Sequence, residues 1–122
     1  MEFSIIIPSH NNYKYCKLTI DSIKKNSSFN HEIVVHLNGK DIETENYLKN
    51  ESILYSKSIE NIGLCSGVNK AFKLSSKSYI LYSHDDMYFL PNWDRALIIE
   101  MKNINASKVL GRTLRVNEVL PK

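Results

Sequence analysis

The sequence has few cysteines and no long hydrophobic run. Its 122 residues include two cysteines, which have no paired spacing and belong to no Cys/His cluster. This excludes a disulfide-rich scaffold and a zinc site of the usual spacing. Cys16 and Cys65 both fall at apolar positions of predicted helices or helix starts. We therefore expect both to be reduced core residues of an intracellular protein.

No stretch approaches the roughly 20 consecutive apolar residues that a transmembrane helix requires. The first apolar run, residues 3–7, is only as long as a strand, and it does not follow the charged region of a secretory signal. We expect a soluble, cytoplasmic chain, which could still lie at the periphery of a membrane through a partner.

Charge of one sign is not concentrated anywhere in the chain. Sixteen basic and thirteen acidic residues are interspersed and give a net charge of +3. Without a basic block, nucleic acid is not an expected partner. The length suits one domain, residues 1–122, and internal repeats and low-complexity segments are absent.

Apolar runs and helical periodicities alternate along the chain. Strands are predicted at residues 4–7, which Pro8 ends, and at 32–37, 53–56 and 79–83, and another begins at 108–110. Helices are predicted at residues 13–25, with Cys16, Ile20 and Ile23 inward, and at 41–50, with Asp41 as N-cap and Ile42, Tyr47 and Leu48 to bury. Two more helices carry the apolar sets Leu64, Val68, Ala71 and Phe72, and Trp93, Leu97, Met101 and Ile104.

This alternation predicts an α/β fold, a Rossmann-like three-layer α/β/α sandwich with a mainly parallel sheet. The dinucleotide fingerprint G-x-G-x-x-G is missing after the first strand, and so is the phosphate loop G-x-x-x-x-G-K-[ST]. The commonest sequence motifs for nucleotide binding are therefore excluded.

The fourth predicted strand ends in His84, Asp85 and Asp86. A strand that buries its body and stops on acids brings them to the sheet edge where open α/β folds bind ligands. Two adjacent carboxylates suit Mg²⁺ or Mn²⁺, which bind one or two carboxylates together with substrate phosphates. The alternative is ordinary turn chemistry, since aspartates after a strand hydrogen-bond their own backbone.

Three segments together resemble the nucleotide-sugar-binding half of family-two glycosyltransferases of the GT-A fold. They are residues 5–11 (IIIPSHN), residues 32–39 (EIVVHLNG) and residues 61–86, which run from NIG to SHDD. The resemblance covers residues 2–110 in order and spacing. It implies a truncated GT-A domain from which the acceptor-binding half is absent.

The resemblance also implies binding roles for particular residues. The turn after the first strand, which cradles the nucleoside, is matched by Pro8, Ser9, His10 and Asn11. The turn near the base is matched by Asn38 and Gly39, and the loop over base and ribose by Asn61, Gly63 and Asn69. The D-x-D motif is matched by His84, Asp85 and Asp86, with Asp86 as the ligand of Mn²⁺ or Mg²⁺.

Two positions depart from the family pattern. Leu37 stands where the family usually has an aspartate that hydrogen-bonds the base, and His84 replaces the first acid of D-x-D. The general base lies in the half that this chain lacks, and Asp94, Glu100 and Glu118 match no family base. No catalytic residue is therefore assigned.

The function predicted from this resemblance is donor binding in a hexosyltransferase-like enzyme that transfers sugar from a nucleoside-diphosphate sugar. The acceptor, whether glycan, lipid or protein, is unknown, and an exposed sheet edge favours a partner chain or homo-oligomer. The alternatives are a non-catalytic nucleotide-sugar-binding module or inactive fragment, and a plain scaffold. A receiver-like signalling domain is disfavoured because the first strand ends in Pro8, Ser9 and His10 rather than in acids.

Overall fold

A computed structural model describes residues 1–103, in which four strands and four helices alternate. The strands are β1 (Phe3–Ser9), β2 (Glu32–Asn38), β3 (Leu54–Ser58) and β4 (Tyr79–Tyr82). The helices are α1 (Tyr13–Asn26), α2 (Ile42–Asn50), α3 (Leu64–Phe72) and α4 (Trp93–Asn103). The strand predicted from residue 108, the inward position of Ile104 and the acid Glu118 lie outside the described residues. No helix within residues 1–103 is long and apolar enough to cross a membrane.

The four strands form one parallel sheet in the order β3-β2-β1-β4. One face carries the larger core, to which α1, α2 and α4 contribute buried side chains such as Ile20, Leu48 and Ile98. On the other face, Ala71 of α3 packs with Ile6 and Val34. The predicted three-layer α/β/α sandwich with a parallel sheet is thus confirmed.

The prediction that Pro8 ends the first strand is wrong. Strand β1 continues through Pro8, which lies opposite His36 of β2, to Ser9. Ser83 N donates to Ile6 O on the β4 side at 2.9 Å, and strand alternation directs the nitrogen of Pro8 to that same side. Strand β4 has already ended there, so the missing N–H of proline costs the sheet no hydrogen bond.

Strand β4 does not bury its whole body as predicted. Leu81 is buried, but Tyr79 and Ile80 are 37% and 40% exposed. The reason is topological, because β4 pairs only with β1 and forms one edge of the described sheet.

Helix α3 corrects two further predictions. Leu64 and Phe72 are both 52% exposed, and the buried positions of α3 are Gly67 and Ala71. Leu64 begins the helix at the rim of the sheet, and Phe72 is about 100° around the axis from Ala71. Cys65 is exposed rather than in the core, since it lies about 200° from Gly67.

Cys16 of α1 is fully buried as predicted, with Ile20 and Ile23. Burial raises the pKa of its thiol to about 12, so the sulfur is held in its protonated, unreactive form.

Helix α2 begins as predicted, with the side chain of Asp41 accepting from Thr44 N at 3.1 Å. Thr44 Oγ1 also donates to Asp41 Oδ2 at 2.6 Å and is buried. Ile42, predicted to be inward, is 56% exposed. The cap therefore turns Thr44 rather than Ile42 toward the core, alongside Tyr47 and Leu48.

Helix α4 buries Trp93 and Met101 as predicted, whereas Leu97 is half-buried and Ile98 takes the inward position. Asp94 is also fully buried. It accepts hydrogen bonds from Ser28 N, Phe29 N and His31 Nε2 at 2.8 to 2.9 Å. All three donors lie in the connection between α1 and β2. Sequence reasoning gave no role to Asp94, which anchors the start of α4.

Candidate functional site

The carboxyl ends of β1 and β4 meet through two of the predicted site residues. Ser9, the last residue of β1, donates from its Oγ to Asp85 Oδ2 at 2.8 Å. The two strands are parallel neighbours, so their carboxyl ends reach the same edge of the sheet. Asp85 is half-buried there, and one of its two carboxylate oxygens is oriented by the hydroxyl.

The turns after β1 and β2 are also in contact. His10 Nδ1 lies 2.5 Å from Asn38 O, so this nitrogen carries the proton and donates it to the carbonyl. Gly39 follows with φ of +90°, a left-handed conformation that favours glycine. A side chain at Gly39 would point toward the His10 ring, with its Cβ 3.5 Å from Nδ1.

The side chain of Asn38 holds the loop before α3. Its Oδ1 accepts from Ile62 N, and its Nδ2 donates to Gly63 O, each at 3.0 Å. Asn61 Oδ1 in turn accepts from Gly63 N at 2.9 Å. The donor and acceptor of the Asn38 side chain are thus both used within the protein, and Leu37 points to the opposite face, where it is in the core.

His36 supports this region from inside the fold, and sequence reasoning gave it no role. This residue of β2 is fully buried, with its ring against Gly67 of α3. Its Nδ1 lies 2.7 Å from Ser56 Oγ, and its Nε2 lies 3.3 Å from Ser58 Oγ. Burial lowers the pKa of His36, outweighing the neighbouring Asn38 side chain, which raises it, and the nearby charge of Lys70 adds to the lowering. A histidine in an otherwise apolar strand was the available signal.

The other acidic-motif residues face solvent. His84 and Asp86 are exposed, and the His84 ring stands edge-on to Tyr82 with centroids 5.2 Å apart. In the described part of the chain, no group of three or more His, Cys, Asp and Glu side chains could hold a metal ion. A cation at this edge would therefore depend on the aspartates together with ligand oxygens.

Three predicted residues are less closely tied to this group. Pro8 is a buried part of β1. Asn11 is exposed with φ of +44°, and Asn69 is exposed on the second turn of α3. A separate open groove of about 600 Å³ lies near the amino ends of β2 and β3. Its lining residues include Lys24, His31 and Glu51. It contains none of the predicted site residues.

The family model described as glycosyl transferase family 2 matches residues 4–121. A search of proteins with curated functions gave no match.

Among solved structures, S. aureus TarS 1-349 in complex with UDP-GlcNAc has 22% identity and a TM-score of 0.74, covering 84% of this chain and 32% of that one. Another structure, described as S. aureus TarS, gives a TM-score of 0.73 at 22% identity, with 84% of this chain and 20% of that chain covered. The mannosyltransferase PcManGT from Pyrobaculum calidifontis, in complex with GDP-Man and Mn²⁺, has 14% identity and a TM-score of 0.64, with 71% and 28% covered. The chain therefore spans about a fifth to a third of the length of these proteins.

Proposed function

This chain belongs to glycosyl transferase family 2, and we propose that it is the donor-binding part of a hexosyltransferase-like enzyme. The ligand is a nucleoside-diphosphate sugar, bound where the carboxyl ends of β1, β2 and β4 meet. The hydrogen bond from Ser9 to Asp85 carries this proposal, because it joins the turn after β1 to the acidic motif after β4. The fold, shared with glycosyltransferases of the GT-A type, agrees with it.

Each loop has a role in this proposal. The turn formed by Ser9, His10 and Asn11 borders the nucleoside, and its exposed histidine and asparagine offer polar contacts. Asn61 and Gly63 form the facing wall, with Asn69 beside them on α3. Asn38 shapes that wall through its two hydrogen bonds rather than reading the base directly. Known structures of similar proteins hold UDP, UDP-GlcNAc and GDP-Man, which makes uridine and guanosine diphosphates the first candidates.

Asp85 and Asp86 supply the oxygen donors that Mn²⁺ or Mg²⁺ prefers. The arrangement fits such an ion, because Asp86 is exposed and Asp85 keeps Oδ1 free of the bond from Ser9. A divalent cation held there would offset the negative charge that develops on the nucleoside diphosphate as the glycosidic bond breaks. Asp86 is the proposed direct ligand, and Ser9 orients Asp85.

Transfer also requires a base that deprotonates the acceptor hydroxyl, and none is proposed within this chain. Acceptor binding is assigned to a further chain segment or to a partner chain, which would also cover the β4 edge. A non-catalytic donor-binding module is the second candidate, favoured because Asp94 is fully buried and its carboxylate is occupied by Ser28, Phe29 and His31 rather than available as such a base. A cytoplasmic location remains a prediction.

Titration calorimetry with UDP, GDP and TDP, each with Mn²⁺ and then with EDTA, tests the proposal. We expect one nucleotide to bind in a metal-dependent manner, and Asp86→Ala to abolish the metal-dependent part while circular dichroism stays unchanged. The matched control is Glu100→Ala, which removes an exposed carboxylate from α4. Metal-dependent affinity that survives Asp86→Ala would remove Asp86 from the site. Donor binding without hydrolysis or transfer of the sugar would favour the non-catalytic module.

A further inference from the structure

We infer that His36 is a positioning residue that sets the shape of the donor-site wall formed by residues 60–63. It acts through Ser58 and the segment that Asn38 also holds, without touching the ligand itself. This inference rests on the proposed function for its ligand, but its structural part can be measured without any ligand.

The protons in this buried network can be assigned from the hydrogen bonds. Ser58 Oγ lies 2.6 Å from Glu60 O, and a carbonyl only accepts, so the single hydroxyl proton of Ser58 is donated there. The Ser58 oxygen is then an acceptor toward His36 Nε2–H. Nδ1 of the same ring consequently accepts from the Ser56 hydroxyl at 2.7 Å. His36 is thus satisfied on both nitrogens in one tautomer.

The segment 60–63 is held at both ends by neighbours of this ring. The Ser58 hydroxyl binds the carbonyl of Glu60. The side-chain amide of Asn38 binds Ile62 N and Gly63 O. His36 and Asn38 lie two residues apart on β2 and therefore point to the same face of the sheet. Both face α3, at whose first turn this segment ends.

Helix α3 is seated directly against the ring of His36. A Cβ added at Gly67 would lie 2.8 Å from His36 Cδ2 and 3.1 Å from Asn38 Nδ2. This close approach leaves room for hydrogen at position 67 and little more. A change in the position of the ring would therefore shift the start of α3 together with the loop that precedes it.

Replacing His36 by leucine keeps approximate size but removes both ring nitrogens. The hydroxyls of Ser56 and Ser58 then lose their buried partner, and Ser58 is held only through its hydrogen bond to Glu60 O. Asn38 Oδ1, which accepts the hydrogen bond from Ile62 N–H, lies 3.4 Å from the same Ser58 Oγ. A shift of Ser58 therefore disturbs the bond that protects the Ile62 amide. His36→Gln retains a donor and an acceptor and is the conservative variant that should restore part of the effect.

Two readouts test the inference, amide exchange measured by NMR and titration of the bound nucleotide with Mn²⁺. In His36→Leu we expect the Ile62 amide to exchange at least about tenfold faster, while β1 amides stay protected, and nucleotide affinity to fall by a similar factor. His36→Gln should recover much of both. Ser22→Ala is the control, since it removes a buried hydroxyl that accepts from Phe89 N, away from this loop.

Unchanged Ile62 exchange in His36→Leu would overturn the inference. If that variant fails to fold, Ser58→Ala replaces it, because Ser58 is only half-buried and makes the contact with Glu60 itself. Failure of the wild type to bind any nucleotide, together with faster Ile62 exchange in the variants, would support the loop role of His36 and overturn the proposed function instead.

Discussion

Ser9 Oγ donates a hydrogen bond of 2.8 Å to Asp85 Oδ2, across 76 positions of sequence. The contact joins the last residue of β1 to the segment that follows β4, and it limits the rotation of a carboxylate beside the proposed cation ligand Asp86. A carboxylate held in one orientation loses less rotational freedom when a ligand or ion binds. The order of the loops at this edge follows from the parallel sheet, whereas the orientation of Asp85 depends on this one hydroxyl.

Removing that hydroxyl should weaken binding without disturbing the fold. For Ser9→Ala we expect metal-dependent nucleotide affinity to fall by about threefold to tenfold, because a typical hydrogen bond contributes about 0.5 to 1.5 kcal/mol. Calorimetric titration with Mn²⁺ measures the affinity, and thermal unfolding monitors the fold. Ser75→Ala, at the other end of α3, is the matched control. Equal affinities for Ser9→Ala and the wild type would show that the orientation of Asp85 is unimportant for binding.

Gly67 should be intolerant of even one methyl group. Its added Cβ would lie within 2.8 Å of the buried His36 ring, so the ring or α3 must shift. Overpacking by Gly67→Ala should lower the free energy of unfolding by about 1 to 3 kcal/mol. The higher helix propensity of alanine should offset roughly 1 kcal/mol of that loss. Urea denaturation measures the change.

A double-mutant cycle identifies the source of that strain. If the methyl group meets the His36 ring, combining Gly67→Ala with His36→Ala should cost less than the sum of the two single substitutions. Additive costs would locate the strain elsewhere along α3.

Much of the fold could be predicted because strand and helix periodicities are local. The run at residues 4–7 and the alternation after it were enough to indicate a parallel three-layer fold, and Asp41 was recognisable as a cap. Pro8 was misassigned because its effect depends on where β4 ends, which no local pattern contains. Leu64 and Phe72 were misassigned because α3 packs through Gly67, so that its apolar residues flank the contact with β2.

The candidate site was predictable as a set of loops, but not as a set of side-chain roles. The turns after β1, β2 and β4 were expected at one edge, and Ser9 with Asp85, and His10 with Asn38, do meet there. The supporting network was not foreseeable, because His36 acquires its partners only when β3 is placed beside β2. A polar residue in an apolar strand signals such a network without naming its members.

Asp94 should make the stability of the fold depend on acid pH. Burial by itself would raise the pKa of this carboxyl, but hydrogen bonds from Ser28 N, His31 and Phe29 N outweigh burial and hold the pKa below the ordinary value of 3.8. The unfolded chain then binds a proton more readily than the folded one. The stabilisation by Asp94 is therefore complete above pH 3.8 and is lost as pH falls through the lower folded pKa.

Asp94→Asn isolates this contribution. At neutral pH we expect the variant to lose about 1 to 3 kcal/mol, because the amide offers one oxygen acceptor where the carboxylate offered two to the backbone N–H groups and to His31. Urea denaturation from about pH 7 to pH 2 should show the wild-type curve falling toward that of the variant below about pH 4, since protonation removes the same charge. Curves that stay parallel through the acid range would show that Asp94 has the same pKa in the folded and unfolded states, and that its buried contacts stabilise α4 independently of charge.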